Sequence, residues 1–244
     1  MVTFNNAGRL GNWMMEAATC VGYAMRHELE FSFPNHTNHP KDCPVYLTHL
    51  YKPLKQGVPT IQLWETRHNY EPLEFKEEWR NCNIIIEGYR QTEKYFKHCE
   101  DFIRELFNPE WSLIEGLVSV HVRRGDYLVL REKHPEVTKQ WYEEAMAMFP
   151  NKQFVFFSDD INWCKENFGD RSDCTFSEWK DELTDVRLIS CCEHHINSSS
   201  TFSWWGAWLN RSKDKKVVTP KLWFTENWSG LDTSDIIPET WVKL

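Results

Sequence analysis

The 244-residue sequence has no apolar run that approaches the ~20 residues of a membrane-spanning helix. Its first residues lack the charged and apolar regions of a signal peptide, so we expect a cytoplasmic protein. No cysteines have the CxxC spacing, and the eight cysteines are interpreted as free, mostly buried thiols. Basic residues form no block longer than 213–216, and the net charge is −8. This balance argues against nucleic acid or an anionic membrane as the main partner.

Aromatic side chains, in contrast, are unusually frequent, with 13 Trp, 15 Phe and 8 Tyr. Flat rings pack against the apolar C–H face of a sugar, so this composition is typical of carbohydrate-binding proteins, although most rings of any domain belong to its core. A non-catalytic sugar-binding module is therefore one candidate function. The length allows one large α/β domain or two small ones.

Hydrophobic periodicity predicts strands that alternate with helices. In the first half we expect strands at 2–4 and 83–86, helices at 14–25 and 92–106, and irregular structure over 31–60. A domain boundary is expected near residue 110, after Asn108-Pro109. In the second half we expect strands at 117–122, 153–157, 195–197 and 216–219 and helices at 139–149, 161–168, 181–192 and 203–210. This order predicts a parallel sheet covered on both faces, with ligands beyond the C-terminal ends of its strands.

The stretch HVRRGDY, from His121 to Tyr127, directly follows a predicted strand. Strand side chains alternate, so His121 and Arg123 share one face and Arg124 takes the other. Guanidinium groups at such a strand end suit a diphosphate, because they bind phosphate oxygens as a bidentate fork. The alternative is that Arg124 and Asp126 form an ion pair that fixes the turn.

Three further segments carry polar groups at predicted strand ends. In 197–208 a hydroxyl-rich loop precedes an apolar helix. The first N–H groups of this helix either bind an anion or are capped by the hydroxyl side chains. The segment FSDD at 157–160 offers carboxylates for guanine or ribose, or caps for the next helix. The third, GRLGN at 8–12, is a weak signal alone.

Together with GYRQTEKYF at 88–96, these segments resemble the α-1,2-fucosyltransferase family. That family has GRLGNQ-, GYFQSEKYF-, HVRRGDY-, FSDD- and NSTFSWWGAWLN-like segments in the same order, and the match covers nearly the whole chain. Trp13 stands where the family usually has glutamine, which could alter the donor or acceptor edge of the first loop. The membrane anchor of the animal members has no counterpart, in line with the expected cytoplasmic location.

The resemblance implies an α/β, GT-B-like fold of two Rossmann-like lobes, with a parallel sheet in the C-terminal lobe. Residues 1–110 would form the acceptor-side lobe and contribute a donor-contacting loop, and residues 111–244 would bind GDP-fucose. The implied reaction is inverting transfer of L-fucose to the 2-hydroxyl of a sugar acceptor, with terminal galactose expected. A different donor or linkage remains an alternative.

The resemblance also implies the site residues, and it agrees with the strand-face argument in placing Arg123 on the diphosphate. Donor contacts are expected from Arg9, Asn12, His121, Arg123, Arg124, Ser158, Asp159, Asp160, Ser200, Thr201, Phe202 and Ser203. Acceptor contacts are expected from Tyr89 and Gln91. Acceptor specificity is expected to lie in 31–80 and 128–140, where no motif guides the prediction.

Leaving GDP gains negative charge, so positive groups are needed beside it. Many glycosyltransferases supply a metal ion through an Asp-x-Asp motif, which this sequence lacks. We therefore expect no metal or other cofactor, with arginine and a helix start acting instead. Asp126 is the predicted general base; Glu132, Glu93 and His121 are alternatives, and so is a base-free mechanism. Four possible metal ligands, namely Cys191, Cys192, His194 and His195, match no standard zinc spacing.

Overall fold

The structure is a computed structural model that describes residues 1–5, 8–34, 45–108, 110–178, 181–226 and 231–244. Contacts between Cα atoms divide the chain into two units. The first contains Met1–Phe107 and Leu231–Pro238, and the second contains Asn108–Gly230 and Glu239–Leu244. Residues 231–238 were predicted to belong to the C-terminal lobe, and their return to the first unit was not foreseen. None of the described helices has the length and apolar character needed to cross a membrane.

The first unit is built on a three-stranded parallel sheet of order β1-β3-β2. Its strands and α-helices are β1 (Val2–Phe4), α1 (Leu10–Arg26), β2 (Thr60–Leu63), β3 (Asn83–Ile86) and α2 (Glu100–Phe107). Short 3-10 helices lie at Val45–Leu50, Glu77–Asn81, Glu93–Tyr95 and Lys97–Cys99. The predicted strands at 2–4 and 83–86 and the first helix are confirmed. Of the predicted irregular stretch 31–60, residues 35–44 lie outside the described residues.

Trp13 is at the centre of the core of this unit. Its ring makes edge contacts with Phe4, Phe33 and Phe107, at centroid distances of 5.8, 5.4 and 6.3 Å. The side chain is fully buried. The expectation that Trp13 alters a ligand-binding edge was therefore wrong, because the ring points into the core and stabilises the packing of α1 on the sheet.

The segment before α2 differs from the predicted helix at 92–106. Thr92 caps a 3-10 turn by accepting a hydrogen bond from the backbone N–H of Lys94, and α-helical geometry begins only at Glu100. The backbone of Tyr95 lies against α1, where a Cβ on Gly22 would be 2.5 Å from the Tyr95 carbonyl oxygen. This close approach to α1 fixes the backbone around Tyr95. The tertiary contact therefore overrides the helical propensity of the segment.

Residues 231–238 are held in the first unit by two aspartates. Asp232 accepts a hydrogen bond from Asn69 Nδ2 at 2.8 Å. Asp235 accepts one from the backbone N–H of Tyr70 at 3.0 Å and forms an ion pair with Lys94. The first unit is therefore assembled from two separate stretches of chain.

The second unit contains a six-stranded, wholly parallel sheet of order β6-β5-β4-β7-β8-β9. Its strands are β4 (Ile114–Val122), β5 (Gln153–Ser158), β6 (Cys174–Phe176), β7 (Cys192–Ile196), β8 (Val217–Thr219) and β9 (Val242–Lys243). Its helices are α3 (Gly125–Val129), α4 (Lys139–Ala147), α5 (Ile161–Phe168), α6 (Glu182–Cys191) and α7 (Thr201–Leu209). The predicted parallel sheet and alternation are confirmed, whereas β6, α3 and β9 were not predicted.

Each face of this sheet is covered by helices. On one face Val118, Val120 and Val122 of β4 pack with Tyr142 of α4 and Phe168 of α5. Helix α7 is apolar on all sides because its Trp204, Trp205 and Trp208 are all buried. A Cβ on Gly206 of this helix would lie 2.2 Å from Cγ2 of Ile189 on α6, so only glycine permits this approach.

Candidate functional site

The central strand β4 delivers two arginines to the C-terminal edge of the six-stranded sheet. Its side chains alternate as predicted: Val122 packs into the core on the α4 and α5 side, and His121 contacts Ser198 and Phe202 on the other side. Arg123 and Arg124 follow directly. Strands β5 and β7 flank β4, so the loops after all three strands meet at one edge.

Arg123 is held between two carboxylates. Its Nη2 donates to Oδ1 of Asp126 at 2.6 Å, and its Nη1 lies 3.0 Å from Oδ2 of Asp159. The guanidinium also lies over the ring of Tyr127, at 5.3 Å from the centroid. Its Nε is buried and has no hydrogen-bond partner among the residues that the structure describes. The side chain is only 13% exposed, so this unpaired N–H carries a desolvation cost.

Arg124 points to the opposite face and contacts a different set of groups. Its Nε donates to Oδ2 of Asp160 at 3.2 Å, its Nη1 lies 3.5 Å from Glu136, and its guanidinium covers the ring of Trp163 at 4.3 Å. The proposed ion pair between Arg124 and Asp126 is therefore wrong. Asp126 is bound by Arg123 because strand alternation sends the two arginines apart.

The turn between β4 and α3 depends on the absence of a side chain at Gly125. A Cβ there would lie 2.4 Å from Oδ2 of Asp159. Without it, Asp159 also accepts the backbone N–H of Arg124 at 2.9 Å, which ties the end of β5 to the end of β4. Asp159 was predicted as a nucleotide ligand. Its contacts with Arg123 and Arg124 were not foreseen, because these arginines lie 35 or more positions away from it in the sequence.

Ser158, the last residue of β5, and Asp160 hold the turn that leads into α5. Asp160 is the N-cap of α5 and accepts the backbone N–H of Trp163 at 3.3 Å. Ser158 accepts the backbone N–H of Asp160 at 2.9 Å. The capping alternative is thus observed for Asp160, and its role toward a nucleotide stays a prediction.

The loop from Ser198 to Ser200 links β7 to α7. Ser198 shares a hydrogen bond of 2.8 Å with Nδ1 of the buried His121. Ser200 caps α7 by accepting the backbone N–H of Phe202, and Ser203 donates to the carbonyl oxygens of Ser198 and Ser200. Thr201 and Phe202, at the start of the helix, are both half-buried. The cap is observed, and donor contacts from Ser200, Thr201, Phe202 and Ser203 stay predictions.

His121 is held neutral by its surroundings. Burial, together with the charge of Arg123, lowers the pKa of His121 to about 3. Its contact with Ser198 shows what it does in the structure: it fixes the loop after β7 against the end of β4. Because the ring is buried, we infer that His121 orients this loop; its direct contact with a donor stays a prediction.

A stack of planar groups runs from Arg123 toward residues 222–226. The ring of His134 stacks on Tyr127 with centroids 3.8 Å apart and an interplanar angle of 10°, and Phe224 packs against His134 at 5.3 Å. Tyr127 in turn donates a hydrogen bond to the Ser199 carbonyl oxygen at 3.1 Å. Tyr127 belongs to the HVRRGDY motif, but no role was predicted for it, and no sequence signal pointed to His134 or Phe224.

Four predicted residues lie in the first unit. Arg9 is exposed and is the N-cap residue of α1. Gln91 donates a hydrogen bond from Nε2 to Oδ1 of Asn12 at 2.9 Å, which joins the two predicted loops of this unit. Tyr89 is exposed. The donor role of Arg9 and Asn12 and the acceptor role of Tyr89 and Gln91 stay predictions.

Arg90 organises the loop that carries Tyr89 and Gln91. It was not among the predicted site residues. It is fully buried and has a left-handed backbone, with φ of +49°. Its guanidinium donates to Glu71 at 2.9 Å and to the carbonyl oxygens of Leu63 and Glu87 at 3.0 and 3.1 Å. A buried arginine is stable only when its donors are used in this way.

The four possible metal ligands do not converge. His195 contacts Ser119 and Asn210, each at 2.8 Å, and His194 Nδ1 accepts the backbone N–H of Lys216. Within the described ranges no group of three or more His, Cys, Asp or Glu side chains is placed to hold a metal ion. The metal alternative for this cluster is therefore not supported by its geometry.

A family model described as "Glycosyl transferase family 11" matches residues 79–244, about two thirds of the chain. The chain belongs to glycosyl transferase family 11. The match includes β3, the Arg90 loop and the whole second unit described above. By its description this is a family of glycosyltransferases, which argues against the alternative of a non-catalytic sugar-binding module.

Two curated relatives are similar to this glycosyltransferase. An alpha-1,2-colitosyltransferase of Escherichia coli is 35% identical over 179 residues, which cover 64% of this chain and 61% of that protein. A galactoside alpha-(1,2)-fucosyltransferase 1 of Bos taurus is 26% identical over 285 residues, which cover 97% of this chain and 77% of that protein. In the first of these two comparisons, the chain spans about three fifths of the length of the colitosyltransferase.

Among solved structures, the glycosyltransferase is similar to POFUT1 in complex with GDP. The TM-score is 0.51 at 13% sequence identity, with 89% of this chain and 97% of that chain covered. At this identity the likeness shows the fold alone. The fold class is α/β and GT-B-like, as the resemblance implied.

The buried His134 predicts how the stability of the enzyme depends on pH. Burial lowers the pKa of His134 to about 4, whereas histidine in an unfolded chain titrates near 6.5. Between these values the unfolded chain binds a proton that the folded protein excludes, so lowering the pH favours unfolding. From pH 7 to pH 5 this should remove about 1 kcal/mol of the free energy of unfolding, a figure reduced for the ring's partial contact with water.

His134→Phe keeps a ring in the stack and removes the titrating group, so its stability should fall less than that of the wild type over the same interval. Urea unfolding at pH 7 and pH 5, followed by circular dichroism, measures both slopes. His49→Gln, at an exposed position, controls for the loss of an imidazole elsewhere in the chain. Equal pH dependence of wild type and His134→Phe would show that the folded protein protonates His134 without cost.

Proposed function

We propose that the enzyme is an inverting fucosyltransferase that moves L-fucose from GDP-fucose to the 2-hydroxyl of a sugar acceptor, in α-1,2 linkage. The motif resemblance and the family support fucosyl transfer, and both curated relatives carry "alpha-1,2" or "alpha-(1,2)" in their names. Terminal galactose is the proposed acceptor, as in the name of the bovine relative. The observation that carries the proposal is the position of Arg123 at the C-terminal end of the central strand, in contact with Tyr127, which donates to the loop before α7.

Arg123 suits the diphosphate of the donor for three reasons. It lies at the sheet edge where ligands of parallel α/β folds bind. Through Tyr127 and Ser199 it is linked to the loop that begins α7, a nine-residue helix whose N-terminus favours an anion. Its Nε offers a hydrogen-bond donor that no group of the described part of the chain uses. A phosphate oxygen that satisfies this N–H would remove its desolvation cost.

The charges at this edge require a rearrangement when the donor binds. Two guanidinium groups meet four carboxylates, those of Asp126, Asp159, Asp160 and Glu136. An incoming diphosphate would be repelled unless it displaces a carboxylate from Arg123. Asp126 is the one to leave, because it is 51% exposed and has Arg123 as its only ion-pair partner among the described residues. Asp159 also holds the Arg124 backbone and stays.

This displacement would free Asp126 to act as the general base. In the reaction, the bond between C1 of fucose and the β-phosphate oxygen breaks, and its electron pair leaves with GDP. The acceptor O2 forms the new bond to C1 from the opposite face, and its proton passes to the Asp126 carboxylate. Arg123 stabilises the charge that develops on the leaving diphosphate, so no metal ion is required in this proposal.

A second candidate is transfer of colitose, because the more similar of the two curated relatives, at 35% identity, is named a colitosyltransferase. The two candidates share the nucleotide site and the linkage and differ in the transferred sugar. Comparing GDP-fucose with GDP-colitose as donors, on the same galactoside acceptor, decides between them by the ratio of kcat/KM.

Arg123→Ala should lower kcat/KM for transfer by ~10²–10³, because it removes a charge-assisted contact that strengthens as GDP leaves. Arg123→Lys should recover little, since lysine lacks the planar fork. GDP release from GDP-fucose in the presence of lactose measures the rate. Arg131→Ala is the matched control. Arg131 is 61% exposed, and it pairs with Glu136, which contacts Arg124 and not Arg123. A folded Arg123→Ala enzyme with near-normal activity would contradict the assignment.

Turnover should be unaffected by removal of divalent metal. After dialysis against EDTA, the initial rate should stay within about twofold of the untreated enzyme, because positive protein groups supply the charge that a metal would. Complete loss of activity that returns on addition of Mn²⁺ would show that a metal neutralises the diphosphate instead.

Asp126→Asn should separate binding from catalysis. If Asp126 is the base, transfer should fall by roughly 10²–10⁴. At the same time GDP should bind equally well or a few-fold more tightly, because the competing carboxylate is gone. Glu136→Gln removes one negative charge from the same edge and should keep transfer near the wild-type rate. Calorimetry with GDP, beside a transfer assay, tests both variants. Weaker GDP binding together with lower activity in Asp126→Asn would mean that Asp126 only orients Arg123.

A further inference from the structure

The C-terminal edge of the three-stranded sheet in the first unit carries a second polar cluster. Phe4 and Leu63 are both in register with Ile86, so the residues that follow the three strands, Asn5, Trp64 and Glu87, lie at one level. Neither the motifs nor the proposed donor site includes any of them. This edge is where parallel α/β sheets bind ligands.

Glu87 is the polar centre of the cluster. Its Oε1 accepts a hydrogen bond from Asn5 Nδ2 at 2.6 Å and lies 3.4 Å from Nε2 of Gln62. The residue is only 6% exposed, and both recorded amide contacts involve the same oxygen, Oε1. A carboxylate between two amides therefore presents acceptor and donor groups side by side.

Trp64 supplies an aromatic face beside this carboxylate. It follows Gln62 by two residues, so strand alternation brings both side chains to the same face of the sheet. Its side chain is 62% exposed, more than that of any other aromatic residue among the exposed large hydrophobic residues of the structure. Exposed tryptophan of this kind marks a binding surface when its backbone is fixed.

The backbone on both sides of Trp64 is indeed fixed. The carbonyl oxygen of Leu63 accepts Nη2 of the buried Arg90 at 3.0 Å. The carboxylate of Glu65 accepts the backbone N–H groups of Tyr89 and Arg90, each at 2.9 Å. Gly88, with φ of +94°, makes room for this clamp, since a Cβ there would lie 2.3 Å from Cβ of Glu65. Trp64 is thus displayed from a rigid frame, which lowers the entropy cost of binding.

We propose that Trp64, Glu87, Asn5 and Gln62 form a subsite for a neutral pyranose ring. The indole would pack on the apolar C–H face of the sugar, and the carboxylate with its flanking amides would bind two neighbouring hydroxyl groups. The inference rests on the proposed function for its choice of sugar. Two sugars share this chemistry, namely the acceptor galactoside and the fucosyl group of the donor.

Kinetics of Trp64→Ala, Trp64→Phe and Glu87→Gln test the subsite. With methyl β-galactoside as acceptor, Trp64→Ala should raise the KM about tenfold, with partial recovery in Trp64→Phe, which keeps a flat ring. Glu87→Gln should raise it ~10–100-fold, since a charged acceptor is lost. GDP affinity should not change. Phe102→Ala is the matched control: Phe102 is 42% exposed and contacts Phe31, which pairs with Val2 at the other end of the sheet.

The donor arm compares the affinities of GDP-fucose and GDP for each variant. A loss specific to GDP-fucose, with an unchanged galactoside KM, supports the subsite and assigns it to the fucosyl ring. Changes below twofold in both arms, for Trp64→Ala and Glu87→Gln in folded protein, overturn it. Wild-type protein that binds no GDP and transfers no sugar would instead refute the proposed function. Fluorescence titration with free methyl galactoside and methyl fucoside would then still test the subsite.

Discussion

The pairing of Arg123 with two carboxylates, at the end of the central strand, is the constraint on which the C-terminal edge of the six-stranded sheet depends. A guanidinium that is 13% exposed is stable only if its charge is balanced nearby, and Asp126 and Asp159 provide that balance. Asp159 reaches it because position 125 has no side chain. The Gly125 turn, the loop after β5 and the first turn of α3 are all fixed by this requirement.

The same pairing explains why binding and catalysis can be coupled in the proposed mechanism. In that mechanism a diphosphate would compete with Asp126 for one guanidinium, so occupation of the donor site and release of the base would be one event. Before the donor arrives, Asp126 is held by Arg123 and is unavailable to an acceptor hydroxyl. Such an arrangement favours activation of the acceptor only when a fucosyl group is present to receive it.

Local patterns in the sequence were sufficient for most of the second unit. Strand β5 could be predicted almost to the residue because it is a short apolar run that ends in a polar turn. Helix α5 could be predicted as closely because it begins after that turn and is followed by Gly169. The faces of Arg123 and Arg124 followed from strand alternation alone. What could not be predicted were contacts between distant segments, such as Asp159 with Arg123 and His134 with Tyr127. Trp13 was misjudged for the same reason, since only the folded chain shows that three phenylalanine rings surround it.

The return of residues 231–238 to the first unit affects how the two parts of the chain can be exchanged between related enzymes. Asp232 and Asp235 bind Asn69, Tyr70 and Lys94, so a chimaera cut once near residue 107 would separate these partners. At 231–238 the first unit would then contain side chains of the other enzyme, which need not pair with Asn69, Tyr70 and Lys94. An exchange of the whole first unit by recombination therefore needs three junctions in the chain, so that residues 231–238 are inherited together with 1–107.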